Sequence, residues 1–180
     1  MTAVFWRTLY APGHDVARLF ETADGRRLEG VALWIQDGRP ARLDYAVDLA
    51  PDWTTREGRI SGFVGDEVVD RHIVLTQGRW SLDGVALPEL DGLVDLDFGF
   101  TPATNMQQLR RVDLAVGETA EVPAAWIDFV GGLSRLPQTY SRTGEETYAY
   151  ASPTAGYAET LIIAPDGFAR EYPTLWTRLL

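Results

Sequence analysis

No cysteine occurs in the 180 residues, which excludes disulfides, thiolate zinc sites, iron–sulfur clusters and a cysteine nucleophile. Lysine is missing too, since all 16 basic residues are arginine. Schiff-base chemistry, a lysine-anchored pyridoxal phosphate and the lysine of a phosphate-binding loop go with it. The 2 histidines, His14 and His72, are too few and too far apart for a histidine-rich metal centre. The patterns Gly-x-Ser-x-Gly, Gly-x-Gly-x-x-Gly and His-Glu-x-x-His are absent as well, so the local signatures of serine hydrolases, dinucleotide enzymes and zinc proteases are lacking. No cofactor and no metal are expected.

Long apolar runs are missing. None approaches the ~18 residues of a membrane-crossing helix, and the start Met1-Thr2-Ala3-Val4-Phe5-Trp6-Arg7 has no cationic segment followed by an apolar core, as a secretory signal would. These features predict a cytoplasmic protein without a membrane span. Positive charge is scarce: the formal net charge is −10, divided as −4 over residues 1–90 and −6 over residues 91–180. Nucleic-acid binding rests on neutralising phosphates with cations, so a nucleic-acid partner is not expected. Docking to an anionic bilayer is disfavoured for the same reason.

What remains is rich in turns and rings. Pairs such as Asp24-Gly25, Asp37-Gly38, Glu57-Gly58, Gln77-Gly78, Asp83-Gly84, Asp91-Gly92 and Asp166-Gly167 punctuate the chain, and such pairs supply the positive φ of tight hairpins. Between them the apolar residues alternate. Leu43, Tyr45, Val47 and Leu49 share one face opposite Arg42, Asp44 and Asp48; Val94, Leu96, Phe98 and Phe100 oppose Asp95 and Asp97; Tyr148 and Tyr150 share a face. Period two means a strand with one buried side, and many short strands joined by turns mean a barrel, sandwich or roll. Two stretches depart from this pattern. Thr101–Arg111 carries a cap candidate, a first-turn proline and helix formers, and predicts a short helix. Ala124–Val130 reads equally as helix or strand. The length suits one domain spanning residues 1–180.

The chain holds 6 Trp, 7 Tyr and 7 Phe. Such rings either pack a strongly curved core or line a cavity for amphiphiles or sugars. Asp95 and Asp97 lie about 6.5–7 Å apart on one strand face, a spacing open to two-carboxylate hydrolysis. Arg110-Arg111 follows the predicted helix; one of the two is expected to face inward, toward Asp97 or Asp95, or to grip a phosphate or carboxylate headgroup.

These segments carry a resemblance over nearly the whole chain. The most specific part is Val94-Asp95-Leu96-Asp97-Phe98-Gly99-Phe100-Thr101-Pro102-Ala103-Thr104-Asn105 followed by Arg110-Arg111. Gln138-Thr139-Tyr140-Ser141-Arg142, Tyr148-Ala149-Tyr150, Tyr172-Pro173-Thr174-Leu175-Trp176, Trp53-Thr54-Thr55-Arg56 and Gly78-Arg79-Trp80 add to it. Together they resemble a bacterial family described as putative glycolipid-binding. The resemblance implies a mainly β fold: a many-stranded antiparallel spiral β-roll, or incomplete barrel, wrapped around one short helix. It also implies a homodimer and a glycolipid or similar amphiphile as partner. One departure stands out, because Gln107 and Gln108 occupy positions where the family commonly has an apolar residue and a proline. They are expected to make a cavity wall more polar and to favour a hydroxylated headgroup over an acyl chain.

The reading is non-catalytic binding of an amphiphile, with contacts from Tyr45, Asp97, Asn105, Arg110, Tyr140 and Arg142. Each has a structural alternative: Asn105 as a helix cap, Arg110 with Asp97 as an internal ion pair. Two other readings stay open. One is a hydrolase using Asp95 and Asp97; the other is a structural or dimerisation module, favoured if no cavity of ~300 Å³ exists.

Overall fold

Three turn pairs meet the geometry their chemistry predicts. Asp37-Gly38, Gln77-Gly78 and Asp83-Gly84 carry positive φ at both positions, 50° and 77°, 53° and 77°, 52° and 81°. Two-residue turns of this kind follow the right-handed twist of their strands. In the computed structural model, which describes every residue except Val130, they close a succession of hairpins. β1 (Thr2–Thr8), β2 (Gly13–Thr22), β3 (Gly25–Gln36), β4 (Arg39–Leu49), β5 (Thr55–Val64), β6 (Glu67–Thr76), β7 (Arg79–Leu82) and β8 (Val85–Ala86) follow one another. Then come β9 (Leu96–Phe98), helix α1 (Asn105–Val112), β10 (Thr119–Glu121), β11 (Ala124–Ile127) and β12 (Ser134–Leu136). β13 (Thr139–Arg142), β14 (Thr147–Ser152), β15 (Tyr157–Ile163), β16 (Ala169–Tyr172) and β17 (Trp176–Arg178) complete the chain.

Fourteen strands form one sheet in the order β10-β13-β14-β15-β16-β17-β1-β2-β3-β4-β5-β6-β7-β8. Every neighbour in it is antiparallel, including β17 on β1 through Trp6↔Arg178, Arg7↔Thr177 and Thr8↔Trp176. Its two ends, β8 and β10, do not pair, so the sheet is not a closed barrel. β12, β11 and β9 form a second, small sheet, and β11 runs parallel to β9. The expected antiparallel roll therefore has one parallel pair.

Helix α1 lies inside the curl. Gln107 Nε2 donates to Leu96 O at 2.7 Å on one side, and Asn105 Nδ2 donates to the Tyr140 oxygen at 2.7 Å on the other. Residues Asn105 to Leu109 are all buried. A helix this short is marginal alone and owes its stability to such packing. One continuous core joins the two sheets and the helix, with Trp6, Leu43, Ile73, Trp80, Leu96 and Phe168 fully buried. Each such side chain contributes roughly 1.5–3 kcal/mol by leaving water.

Gly30 shapes the inner wall. It pairs with Tyr45 across β3 and β4, and a Cβ at Gly30 would meet the Tyr45 ring and the Val16 carbonyl. The missing side chain lets the ring lean across β3 to reach Asp15 on β2.

The structure corrects several expectations. Glu57-Gly58 is no turn but lies inside β5, where the bare Cα makes room for Leu96 Cδ2. His14 belongs to β2 and stacks on Phe5 at 5.1 Å. Pro102 precedes the helix, whose N-cap is Thr104, and Asn105 is the first helical residue rather than a cap. Arg110 and Arg111 continue the helix instead of opening a strand. Ala124–Ile127 is strand β11, and the remainder of that stretch reaches Val130, outside the described residues. The carboxylates of Asp95 and Asp97 do not sit on a solvated face, being 0% and 5% exposed. β9 is an edge strand of the small sheet, yet all three of its residues are buried.

Candidate functional site

Buried polar residues of the helix and of the strands behind it form a chain of hydrogen bonds. Asn105 Nδ2 donates to the Tyr140 oxygen, and the Tyr140 hydroxyl donates to Gln108 Oε1 at 3.1 Å. Gln138 Nε2 donates to the same Gln108 oxygen at 2.6 Å, and the Tyr150 hydroxyl donates to Gln138 Oε1 at 2.8 Å. A buried polar network must be satisfied internally or it destabilises the fold. This one begins at Asn105 and returns at Tyr150, and both residues line the same cavity.

That cavity has a volume of about 210 Å³ and lies between β9 with the start of α1 on one side and β14 to β17 on the other. Six rings enclose it: Phe98, Trp126, Tyr150, Tyr157, Tyr172 and Trp176. Several are mutually braced, Tyr157 to Tyr172 and Tyr172 to Trp176 at 5.4 Å each, Tyr150 to Tyr172 at 5.9 Å. Half-buried Trp126, Tyr157 and Leu175 give it a mouth at the surface.

The polar floor is small. Asp97 Oδ1 accepts from Thr104 Oγ1 at 2.7 Å, and that hydroxyl accepts from Phe98 N at 3.1 Å. Burial pushes the Asp97 carboxyl up to about 6; the Thr104 hydroxyl offsets this only in part. The Gln108 amide pulls the same way, although its Nε2 stops short of any hydrogen bond. Asn105 Oδ1 stays open because the amide nitrogen is spent on Tyr140. Thr101 adds a hydroxyl whose proton is fixed by a second buried chain. The Tyr45 hydroxyl donates to Asp15 Oδ1 at 2.8 Å, so the 3.0 Å contact with Thr101 must be a donation from Thr101. Burial also raises Asp15, to about 7, and its second oxygen has no partner.

The six anticipated contacts are divided. Asp97 and Asn105 meet in the cavity. Tyr140 lies directly behind it, fully buried, bonded to Asn105 and Gln108. Tyr45 is also buried and reaches the cavity only through Thr101. Arg110 and Arg142 line a separate groove of about 480 Å³ beside β14 and the β15–β16 turn. Arg110 donates to Pro165 O at 3.1 Å. Arg142 is held by the carbonyls of Leu114 at 2.8 Å, Gly144 at 3.3 Å and Glu145 at 2.8 Å. The inward arginine is Arg111, not Arg110, and its partner is Asp95, not Asp97: Nε reaches Oδ1 at 2.9 Å and Nη2 reaches Oδ2 at 2.5 Å. Helical register decides this, since one step along α1 turns a side chain by about 100°. Gln107 and Gln108 line neither the cavity nor the groove; Gln107 Nε2 and Gln108 Oε1 are bonded within the protein, while Gln107 Oε1 and Gln108 Nε2 have no partner among the described residues.

None of the six rings was anticipated as a contact, Phe98 and Tyr150 having been read only as buried strand faces. Trp126, Tyr157, Tyr172 and Trp176 come from β11, β15, β16 and β17; in the chain, Tyr157, Tyr172 and Trp176 are marked by the crowding of rings between Tyr140 and Trp176, and Trp126 stands apart from it. Among the described residues, no group of three or more His, Asp or Glu side chains is placed to hold a metal ion. Among the same residues no helix is long and apolar enough to cross a membrane.

A family model described as "Putative glycolipid-binding" matches residues 3–178. The fold is similar to the crystal structure of a DUF1089 family protein from Pseudomonas aeruginosa, with 29% identity, 92% of each chain covered and a TM-score of 0.80. No curated protein matches the chain.

Proposed function

Because the chain belongs to the family described as putative glycolipid-binding, we propose that its ring-lined cavity holds the polar headgroup of an amphiphile without changing it chemically. One observation carries the reading: open acceptors on Asp97 and Asn105 face a space walled by six aromatic rings. Rings contact the apolar faces of a sugar while carboxylate and amide oxygens accept from its hydroxyls.

The volume sets the scale of the guest. About 210 Å³ lies below the ~300–1,000 Å³ of pockets that enclose a whole drug-sized ligand. One six-membered ring fits, and an acyl chain stays outside, past Trp126 and Leu175. The carboxylate-pair alternative lacks support in the geometry, since both oxygens of Asp95 are bonded to Arg111 and Asp95 does not line the cavity.

The same reading keeps a homodimer in the cytoplasm. Its support is an apolar patch on the outer face of β2 to β6, where Val16, Leu33, Ile35, Phe63 and Val68 are exposed and Phe63 stands opposite Val68. Sedimentation at micromolar concentration tests the pairing: a dimer mass supports it and a monomer mass refutes it.

Native mass spectrometry of protein purified from its host tests the binding. A retained adduct with the mass of a headgroup-bearing lipid is expected. Ligand at ~100-fold excess over its Kd adds about 2.7 kcal/mol to stability. An empty protein, together with no thermal shift from any glycolipid, overturns the proposal.

A further inference from the structure

The cavity's polar groups have a definite sign. Its single charged lining residue is Asp97, and no arginine or histidine lines it. Among the described residues, Asp97 Oδ2 and Asn105 Oδ1 meet no hydrogen-bond donor, so both are open acceptors. The tyrosine hydroxyl protons are largely spoken for: Tyr157 donates to Pro173 O at 2.6 Å and Tyr150 to Gln138 Oε1. The indole N–H groups of Trp126 and Trp176, both in the lining, meet no acceptor among the described residues and are open donors. What has a definite sign is the charge: the guest is asked to donate to two open oxygens and to balance one negative carboxylate.

A neutral sugar donates but leaves the Asp97 charge unmatched. A phosphate or carboxylate would face that carboxylate with no cation beside it. A primary ammonium group answers both demands, with three donors, no acceptor and one positive charge, while a quaternary ammonium answers the charge alone. Faces of Trp and Tyr attract such a cation most strongly where water is excluded. The net charge of −10 raises the local concentration of cations around the mouth.

We infer that the headgroup held here is cationic, an aminated sugar or a small alkylammonium group seated between the rings of Trp126, Tyr157, Tyr172 and Trp176 and the carboxylate of Asp97. This rests on the headgroup-binding reading and specifies its ligand class.

Titration calorimetry on the wild-type protein at pH 7 separates the two claims, using D-glucosamine, choline and methyl β-D-glucoside as probes. At least tenfold tighter binding of glucosamine or choline than of the glucoside is expected, and the tighter of the two tells an amino sugar from an alkylammonium headgroup. Equal or tighter binding of the glucoside overturns the ammonium and leaves the headgroup reading standing. No binding of any probe overturns both. Asp97→Asn should cost the cationic probe at least tenfold more than it costs the glucoside. Should that variant fail to fold, Trp126→Leu, at the half-buried mouth, should weaken choline severalfold. Unchanged cation affinity in whichever variant folds overturns the inference.

Discussion

Arg111 clasps Asp95 through two parallel hydrogen bonds, and this pair ties the last turn of α1 to the residue just before β9. The carboxylate is 0% exposed, so the guanidinium is what makes its burial tolerable. Burial still leaves the Asp95 carboxyl above its ordinary range, with the Arg111 hydrogen bonds and charge opposing that shift. The arrangement also puts a cation at the helix C-terminus, where the macrodipole favours it.

Arg111→Ala removes one partner and strands a buried charge, which costs about 3–5 kcal/mol. Urea unfolding at pH 7 should show a loss of that size. Arg110→Ala, one residue earlier, removes an exposed guanidinium bonded only to a carbonyl and should change stability by less than about 1 kcal/mol. Equal losses in the two variants would contradict the assignment of the inward arginine.

Asp15 makes stability fall as pH rises. Its folded-state pKa of about 7 lies above the unfolded value of 3.8, so the folded chain binds the extra proton between those limits. The neutral carboxyl is accommodated fully near pH 4, and the charged one is penalised in full above about 7. The groups bonded to it are Tyr45 and Thr101, its charge is also felt by Tyr10, and among the described residues no cation acts on it. Asp15→Asn should therefore gain stability relative to wild type between pH 5 and pH 8, by a few kcal/mol at roughly 1.36 kcal/mol per unit. A mutant-to-wild-type difference that is flat with pH would refute this.

Gly30→Ala puts a methyl group against the Tyr45 ring and the Val16 backbone. Overpacking of this kind costs about 1–3 kcal/mol, and the Tyr45 hydroxyl should lose its place between Asp15 and Thr101. Thermal unfolding measures the loss. Gly38→Ala is the comparison, since that site is open and only its φ of 77° resists a side chain.

How much of this was legible depends on where each strand lies. The alternation of Leu43, Tyr45, Val47 and Leu49 was readable because β4 has one wet face and one dry face. The same alternation around Asp95 and Asp97 misled, because β9 is buried throughout and the two aspartates are held by Arg111 and Thr104. Period alone cannot tell a solvated face from one covered by a helix. The family's Thr-Pro-Ala-Thr-Asn stretch led to Asn105 and Asp97 at the cavity floor. Its walls escaped notice, since Trp126, Tyr157, Tyr172 and Trp176 sit on four strands that only the curl of the sheet brings together.

The chain's 6 tryptophans give 6 indole N–H signals, of which Trp126 and Trp176 belong to the cavity. Following those signals by nitrogen–proton correlation NMR during titration with a headgroup probe is the most direct measurement. Saturable shifts of the Trp126 and Trp176 resonances, with those of Trp6 and Trp80 unmoved, are the predicted result. Shifts confined to other indoles, or none at concentrations where calorimetry reports binding, would place the ligand elsewhere and contradict the assignment.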